Sequence, residues 1–215
     1  MATRGSQLAT AAPFVPPKHT LPALRAAMPT CEGCELYKFA TQVVPGAGHV
    51  KAALMLIGEQ PGDQEDKQGA PFVGPAGGIL RKALHEIGIP DDEVFLTNAV
   101  KHFKFVQRGR IRLHQSPRMS EINACRPWLS AEIDAVKPKV ILCLGASAAK
   151  SLLGSGFALM REHGVVKQTA FAERVMATIH PSAVLRARDD QGRAQLYGFL
   201  RDDLALAYLT AKKAA

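Results

Sequence analysis

The apolar run Ala52-Ala53-Leu54-Met55-Leu56-Ile57 empties directly into Gly58-Glu59-Gln60-Pro61-Gly62-Asp63-Gln64-Glu65-Asp66-Lys67. A buried strand that stops in a Gly/Pro turn rich in carboxylates places polar groups at the carboxyl end of a sheet. Open α/β folds bind their ligands there. A second stop of the same kind follows Arg174-Val175-Met176-Ala177-Thr178-Ile179, which ends in His180-Pro181-Ser182. One strand end carries acid and the other an imidazole, and together they read as two lips of one active site.

The cysteines offer a second chemistry. Cys31-x-x-Cys34 has the spacing to hold two corners of a metal or cluster site. As a redox pair it would open a helix after a strand, yet it precedes the first strand. Cys125, before Arg126-Pro127-Trp128, is the better third ligand. Cys143 lies inside Ile141-Leu142-Cys143-Leu144 and reads as a small core hydrophobe. His102 is a candidate for a fourth ligand, although a loop histidine needs no such role.

Four short apolar runs, 52–57, 94–97, 139–144 and 174–179, read as buried strands. Helical patterns at 76–87, 119–136, 146–153 and 192–210 alternate with them, which implies a parallel sheet covered on both faces. The segment 100–118 shows little periodicity and is expected as a long loop, functional or disordered. It carries Lys101, Lys104, Arg108, Arg110, Arg112 and Arg118.

The 215 residues suffice for one domain with a sizeable core, and no linker divides them. No apolar run reaches the roughly 20 residues of a membrane span. The formal charge of +8 is compatible with a polyanionic partner. The first 30 residues contain no Asp or Glu and five prolines. They lack the apolar core of a secretory signal, and the prolines oppose the amphipathic helix of a transit peptide. Residues 1–25 are therefore expected as a flexible or loosely wrapped arm, and 26–215 as the single domain.

Five blocks occur in order: Cys31-x-x-Cys34, Gly58-Glu59-Gln60-Pro61-Gly62, Pro71-Phe72-Val73-Gly74, Thr97-Asn98-Ala99-Val100-Lys101-His102 and His180-Pro181-Ser182. Across about residues 20–208 the chain resembles the uracil-DNA glycosylase superfamily. It looks most like family 4 and, within that, the UdgX-type enzymes that attach themselves covalently to DNA. The resemblance implies an α/β fold of three layers, α/β/α, with a central four-stranded parallel sheet. It also implies a 4Fe–4S cluster. Ordinary family-4 chains have Val-Lys-Cys at the fourth block, where this one has Val100-Lys101-His102. That difference makes His102 a cluster ligand beside Cys31, Cys34 and Cys125.

The implied reaction is excision of uracil flipped out of DNA. Phe72 would stack on the base, with Gly58 and Gly62 in the substrate pocket. The Asn98 amide offers an acceptor and a donor to the uracil N3–H/O4 edge. His180 would donate to O2 as negative charge develops, helped by the backbone N–H of Gln60 or Gly62. In UdgX-type enzymes the loop Lys-Arg-Arg-Ile-His supplies the histidine that captures C1′. The aligned stretch here is Arg110-Ile111-Arg112-Leu113-His114, with Ile111 in place of an arginine. His114 is therefore the expected nucleophile, and Glu59 its carboxylate partner. Asp63 would shape the turn or activate water, and Gln60 would position the loop or substrate. Glu65, Asp66 and Lys67 read as a solvated turn. Lys101, Lys104, Arg108, Arg110, Arg112 and Ser182 would contact DNA, largely through phosphates. Phe103 and Phe105 would anchor the loop.

The resemblance thus implies a cytoplasmic monomer acting on uracil-containing DNA, single strands included, and releasing free uracil. Two other readings compete: a turnover family-4 glycosylase that uses water, and a non-enzymatic, metal-stapled nucleic-acid-binding module.

Overall fold

The computed structural model describes residues 9–214. Residues 1–8 of the expected arm lie outside that range. From Ala11 on, the segment packs on the protein. It runs through α1 (Leu21–Ala27), with Leu24 and Met28 buried. The Ala11 amide donates to the Ala124 carbonyl at 2.7 Å.

The sheet is five-stranded and mixed rather than the four-stranded parallel sheet expected. Four strands run parallel: β2 (Leu54–Gly58), β3 (Val94–Asn98), β6 (Val140–Leu144) and β7 (Val175–Thr178). The two-residue β1 (Ala47–Gly48) adds an antiparallel edge on β3, giving the order β1-β3-β2-β6-β7. So short a strand leaves no run for sequence patterning to show.

Each parallel strand is buried on both faces, so its residues alternate between two cores. Leu54, Leu56, Val140 and Leu142 face α3 (Pro75–Ile87), α7 (Pro181–Leu185) and α8 (Asp190–Lys213). Met55, Ile57, Ile141 and Cys143 face α4 (Met119–Val136) and α5 (Ala146–Leu153). A third cluster sits against α4 and holds Leu24, Met28, Cys31, Val100, Cys125 and Trp128.

Segment 100–118 is not a loop throughout. β4 (Phe105–Arg108) and β5 (Ile111–His114) form a hairpin, with Arg108 opposite Ile111 and Phe105 opposite His114. Its two-residue turn has Gly109 at φ +60°, the left-handed conformation that a Gly-X hairpin turn requires.

Lys101 was expected on a DNA-binding surface, but it is fully buried. Its Nζ donates to Thr97 Oγ1 at 2.6 Å, to the Asn98 carbonyl at 2.8 Å and to Glu132 Oε2 at 2.7 Å. Glu132 Oε1 accepts from the Gly46 amide at 2.8 Å. The pair ties α4 to the carboxyl end of β3 and leaves Lys101 no reach to a phosphate.

A buried ion pair adds little when whole, but losing one partner strands a charge. Lys101→Met should therefore destabilise the protein by about 3–5 kcal/mol. Adding Glu132→Leu should restore more than half of that, with midpoints of chemical denaturation as the readout.

Candidate active site

Strands β2 and β6 are neighbours whose chains depart in opposite directions, so a crevice opens where their carboxyl ends part. A cavity of about 930 Å³ lies there, bounded by Glu59, Phe72, Asn98, His114, Gly145 and His180. Gln60, Gly62, Asp63 and Ser182 also line it. Both strand ends expected as lips contribute to the lining of this one cavity.

Phe72 is buried with φ +56°, a costly backbone for a residue with a side chain. Two features hold it there. Arg81 donates to the Phe72 carbonyl at 2.5 Å. Gly77 lets that carbonyl come close, since a Cβ there would lie 1.6 Å from its oxygen. Gly58 does the same for the cavity floor: a Cβ would meet Asn98 Oδ1 at 2.3 Å and the Phe72 ring at 2.8 Å. Asn98 is buried, and its backbone is fixed by Lys101.

His180 caps α7. Its Nδ1 accepts from the Ser182 amide at 3.1 Å and lies 2.7 Å from Ser182 Oγ. Accepting an amide N–H at Nδ1 puts the ring proton on Nε2. Burial, and to a lesser degree Arg186 and His114, lower the imidazole to about 4. A neutral Nε2–H donor is thus set at neutral pH, where it can meet developing negative charge. Arg186 donates to Ser182 Oγ at 2.9 Å, so Ser182 serves as a brace for His180.

Across the cavity, His114 Nε2 is 3.6 Å from Glu59 Oε1. That separation exceeds a hydrogen bond. Glu59 Oε1 is buried and has no hydrogen-bond partner among the described residues. An unsatisfied carboxylate oxygen in such a cavity is poised to accept a proton or to steady a cation.

A model of the uracil DNA glycosylase superfamily matches residues 45–203. The type-4 uracil-DNA glycosylase of Sulfurisphaera tokodaii is 39% identical over 164 residues, which is 73% of this chain and 71% of that protein. The type-4 uracil-DNA glycosylase of Pyrobaculum aerophilum is 34% identical over 195 residues, covering 87% and 93%. That of Thermotoga maritima is 35% identical over 164 residues, covering 76% and 82%. The chain belongs to the uracil-DNA glycosylase superfamily. Within it the chain groups with family 4.

The iron–sulfur expectation is corrected. Among the described residues, no group of three or more His, Cys, Asp or Glu side chains could hold a metal ion. Cys31, Cys34, His102 and Cys125 therefore do not fit a 4Fe–4S site. Cys31 Sγ accepts from the Trp128 indole at 3.1 Å, and Cys125 Sγ from the Lys101 amide at 3.3 Å. Burial pushes the Cys125 thiol up to about 12 and lowers His102 to about 4. The N-terminal segment is fastened by the apolar packing around Trp128.

This glycosylase-family chain also uses its hairpin cations differently from the expectation. Arg112 is an anchor. Its guanidinium binds Asp63 Oδ1 and Asp66 Oδ2, each at 2.6 Å, and Thr41 Oγ1 at 3.0 Å. It also lies over the Phe103 and Phe105 rings at 5.4 and 5.0 Å. Lys104 pairs with Glu121 at 2.8 Å. Arg108 and Arg110 are exposed and form no ion pair among the described residues. Gln60 stitches the hairpin base, donating to the Lys104 and Gln115 carbonyls and accepting from the Lys104 amide, all at 3.1 Å.

Asp63 has one oxygen on Arg112 and the other on Lys67 at 2.5 Å. Lys67 first, and then Arg112 against the opposing effect of burial, hold its carboxyl below the usual range. That makes Asp63 a poor base and a good latch.

Glu65 and Asp66 are buried on α2 (Asp63–Gln68), not in a solvated turn. Glu65 accepts from the Gly62 amide at 3.1 Å and the Gly74 amide at 2.7 Å, so one carboxylate joins the Glu59 lip to the Phe72 lip. The signal was present: an acidic residue three places after Gly62 is the capping-box spacing.

Arg112→Leu should release the hairpin while sparing the sheet. Amides of 104–115 should exchange at least tenfold faster with deuterium, while those of β2 and β6 keep their protection.

Proposed function

We propose that this chain is a uracil-DNA glycosylase that breaks the C1′–N1 bond of deoxyuridine in DNA and passes the sugar cation to water. The convergence of Phe72, Asn98 and His180 on one cavity carries the reading. Phe72 stacks on the flipped base. The Asn98 carbonyl oxygen accepts from N3–H and its amino group donates to O4. Cytosine reverses that pattern and would leave both buried groups unpaired. As the bond breaks, its electron pair moves onto uracil N1 and O2, and the His180 Nε2–H donates to O2. Glu59 orients water toward C1′ and takes its proton, a role better suited to Glu59 than to the cation-bound Asp63. The partner is uracil-containing DNA, single strands included, the product is free uracil, and the enzyme works as a cytoplasmic monomer.

The relatives named as type-4 enzymes favour this turnover reading. One observation favours a second: His114 shares the cavity and stands 3.6 Å from the unpartnered Glu59 oxygen. On that reading the neutral imidazole attacks C1′ in place of water, and Glu59 stabilises the imidazolium that forms. The UdgX-type likeness of the 110–114 stretch points the same way. A purely DNA-binding module would leave Asn98 and His180 without a task.

Free uracil released per protein molecule tests the proposal. Many turnovers are expected, with His180→Ala lowering the rate about 10²–10³-fold and Glu59→Gln about 10²–10⁴-fold. No release from single- or double-stranded uracil-DNA would end the enzymatic reading. A protein–DNA band that survives boiling in detergent, and disappears in His114→Ala, would select covalent capture over water.

A further inference from the structure

The two faces of the hairpin are unequal. Its register places Phe105, Gln107, Arg112 and His114 on one face. That face is committed inward, to Asp63, Asp66 and the cavity. Val106, Arg108, Ile111 and Leu113 share the other face. There Val106 is 50% exposed, Ile111 65% and Leu113 41%. Three aliphatic side chains on one small, water-facing ribbon form a patch that calls for a partner.

Charge restricts what that partner is. Arg108 and the turn residue Arg110 rim the patch, and residues 100–118 contain no Asp or Glu. A second copy of a chain with formal charge +8 is repelled by this rim. A nucleic-acid strand fits both halves, since its bases have apolar faces and its phosphates are anionic.

Reach agrees. Successive strand residues advance roughly 3.4 Å, so Ile111 stands about 10 Å along the strand from His114 at the cavity. That is about three base steps at roughly 3.4 Å each. Arg112 and Gln60 brace the ribbon, so it meets a strand already ordered and little freedom is lost on binding.

We propose that this outward face is a DNA-docking surface for the strand that flanks the target nucleotide. Val106, Ile111 and Leu113 pack on bases, while Arg108 and Arg110 hold phosphates. The proposal rests on the glycosylase reading for its choice of strand. Ile111, which stands where the Lys-Arg-Arg-Ile-His pattern has an arginine, lies on this face beside the turn, opposite Arg108.

The test is the double variant Ile111→Ser/Leu113→Ser, whose changes are on exposed strand positions. Binding to a uracil-free single strand of about twenty nucleotides, read by fluorescence anisotropy, is expected to weaken about tenfold from the loss of two apolar contacts. Excision from a uracil-containing strand of that length is expected to fall equally in kcat/KM. Excision from a trinucleotide with central uracil, which can reach Leu113 beside His114 but not Ile111, is expected to fall less than excision from the longer strand. Arg108→Ala/Arg110→Ala should lower the slope of log K against log salt by about 1.4. Unaltered strand binding by the Ser variant would overturn the proposal, as would an equal loss on both substrates. So would a change in the sedimentation of the DNA-free protein, which would mark a self-contact. If the strand-binding loss appears while even the wild-type chain releases no uracil, the docking surface stands and the glycosylase reading alone fails.

Discussion

The candidate site depends on one guanidinium. Arg112 reaches from β5 to two carboxylates of α2, and one of them, Asp66, is fully buried. An arginine shared between acids in a partly dry setting is a directional link with several hydrogen bonds. Asp66 also accepts the Thr41 amide through both oxygens, so its position is fixed from the far side. The hairpin is too short to hold itself in water. Arg112 docks it, Gln60 fixes its base, and His114 is thereby brought to the cavity rim. The same link consumes Asp63, which leaves Glu59 as the unengaged carboxylate facing the cavity.

Around that hinge the other walls are set by backbone constraints. Phe72 adopts a left-handed conformation because Arg81 and Gly77 hold its carbonyl. Glu65 binds the two loops at Gly62 and Gly74, which sets the gap between Glu59 and the Phe72 ring. His180 is orientated by its own helix start and kept neutral by burial. Each of these groups is held by the protein's own contacts, and fixed positioning of that kind is what electrostatic catalysis needs.

Much of this was legible in the residues. The parallel strands followed from continuous apolar runs, and the site from where two of them stop in Glu59 and His180. Three features were not legible. β1 has two residues and no pattern. The hairpin was hidden because β4, Phe105-Val106-Gln107-Arg108, does not alternate, and β5, Ile111-Arg112-Leu113-His114, alternates with its apolar residues outward and Arg112 and His114 inward, the reverse of an ordinary half-buried strand. Only Gly109 in a two-residue gap hinted at it. Charge misled most: Lys101 and Arg112 looked like phosphate ligands but serve as internal ties, because buried Glu132 and Asp66 wait for them. Cysteine spacing misled likewise, since Cys31 and Cys125 are packed around Trp128 in an apolar cluster. Type and spacing locate a strand end, but they do not tell which charges have found internal partners.

The central claim is that Phe72, Asn98 and His180 form a pocket matched to uracil. Its most direct test is the affinity of the folded protein for free uracil and free cytosine, by calorimetric or NMR titration. The account predicts that uracil binds at least about tenfold more tightly, the cost of leaving one buried hydrogen-bonding group unpaired. It also predicts that the shifted resonances map to Phe72, Asn98 and His180. Equal affinity for the two bases, or shifts confined to residues outside the cavity, would contradict it.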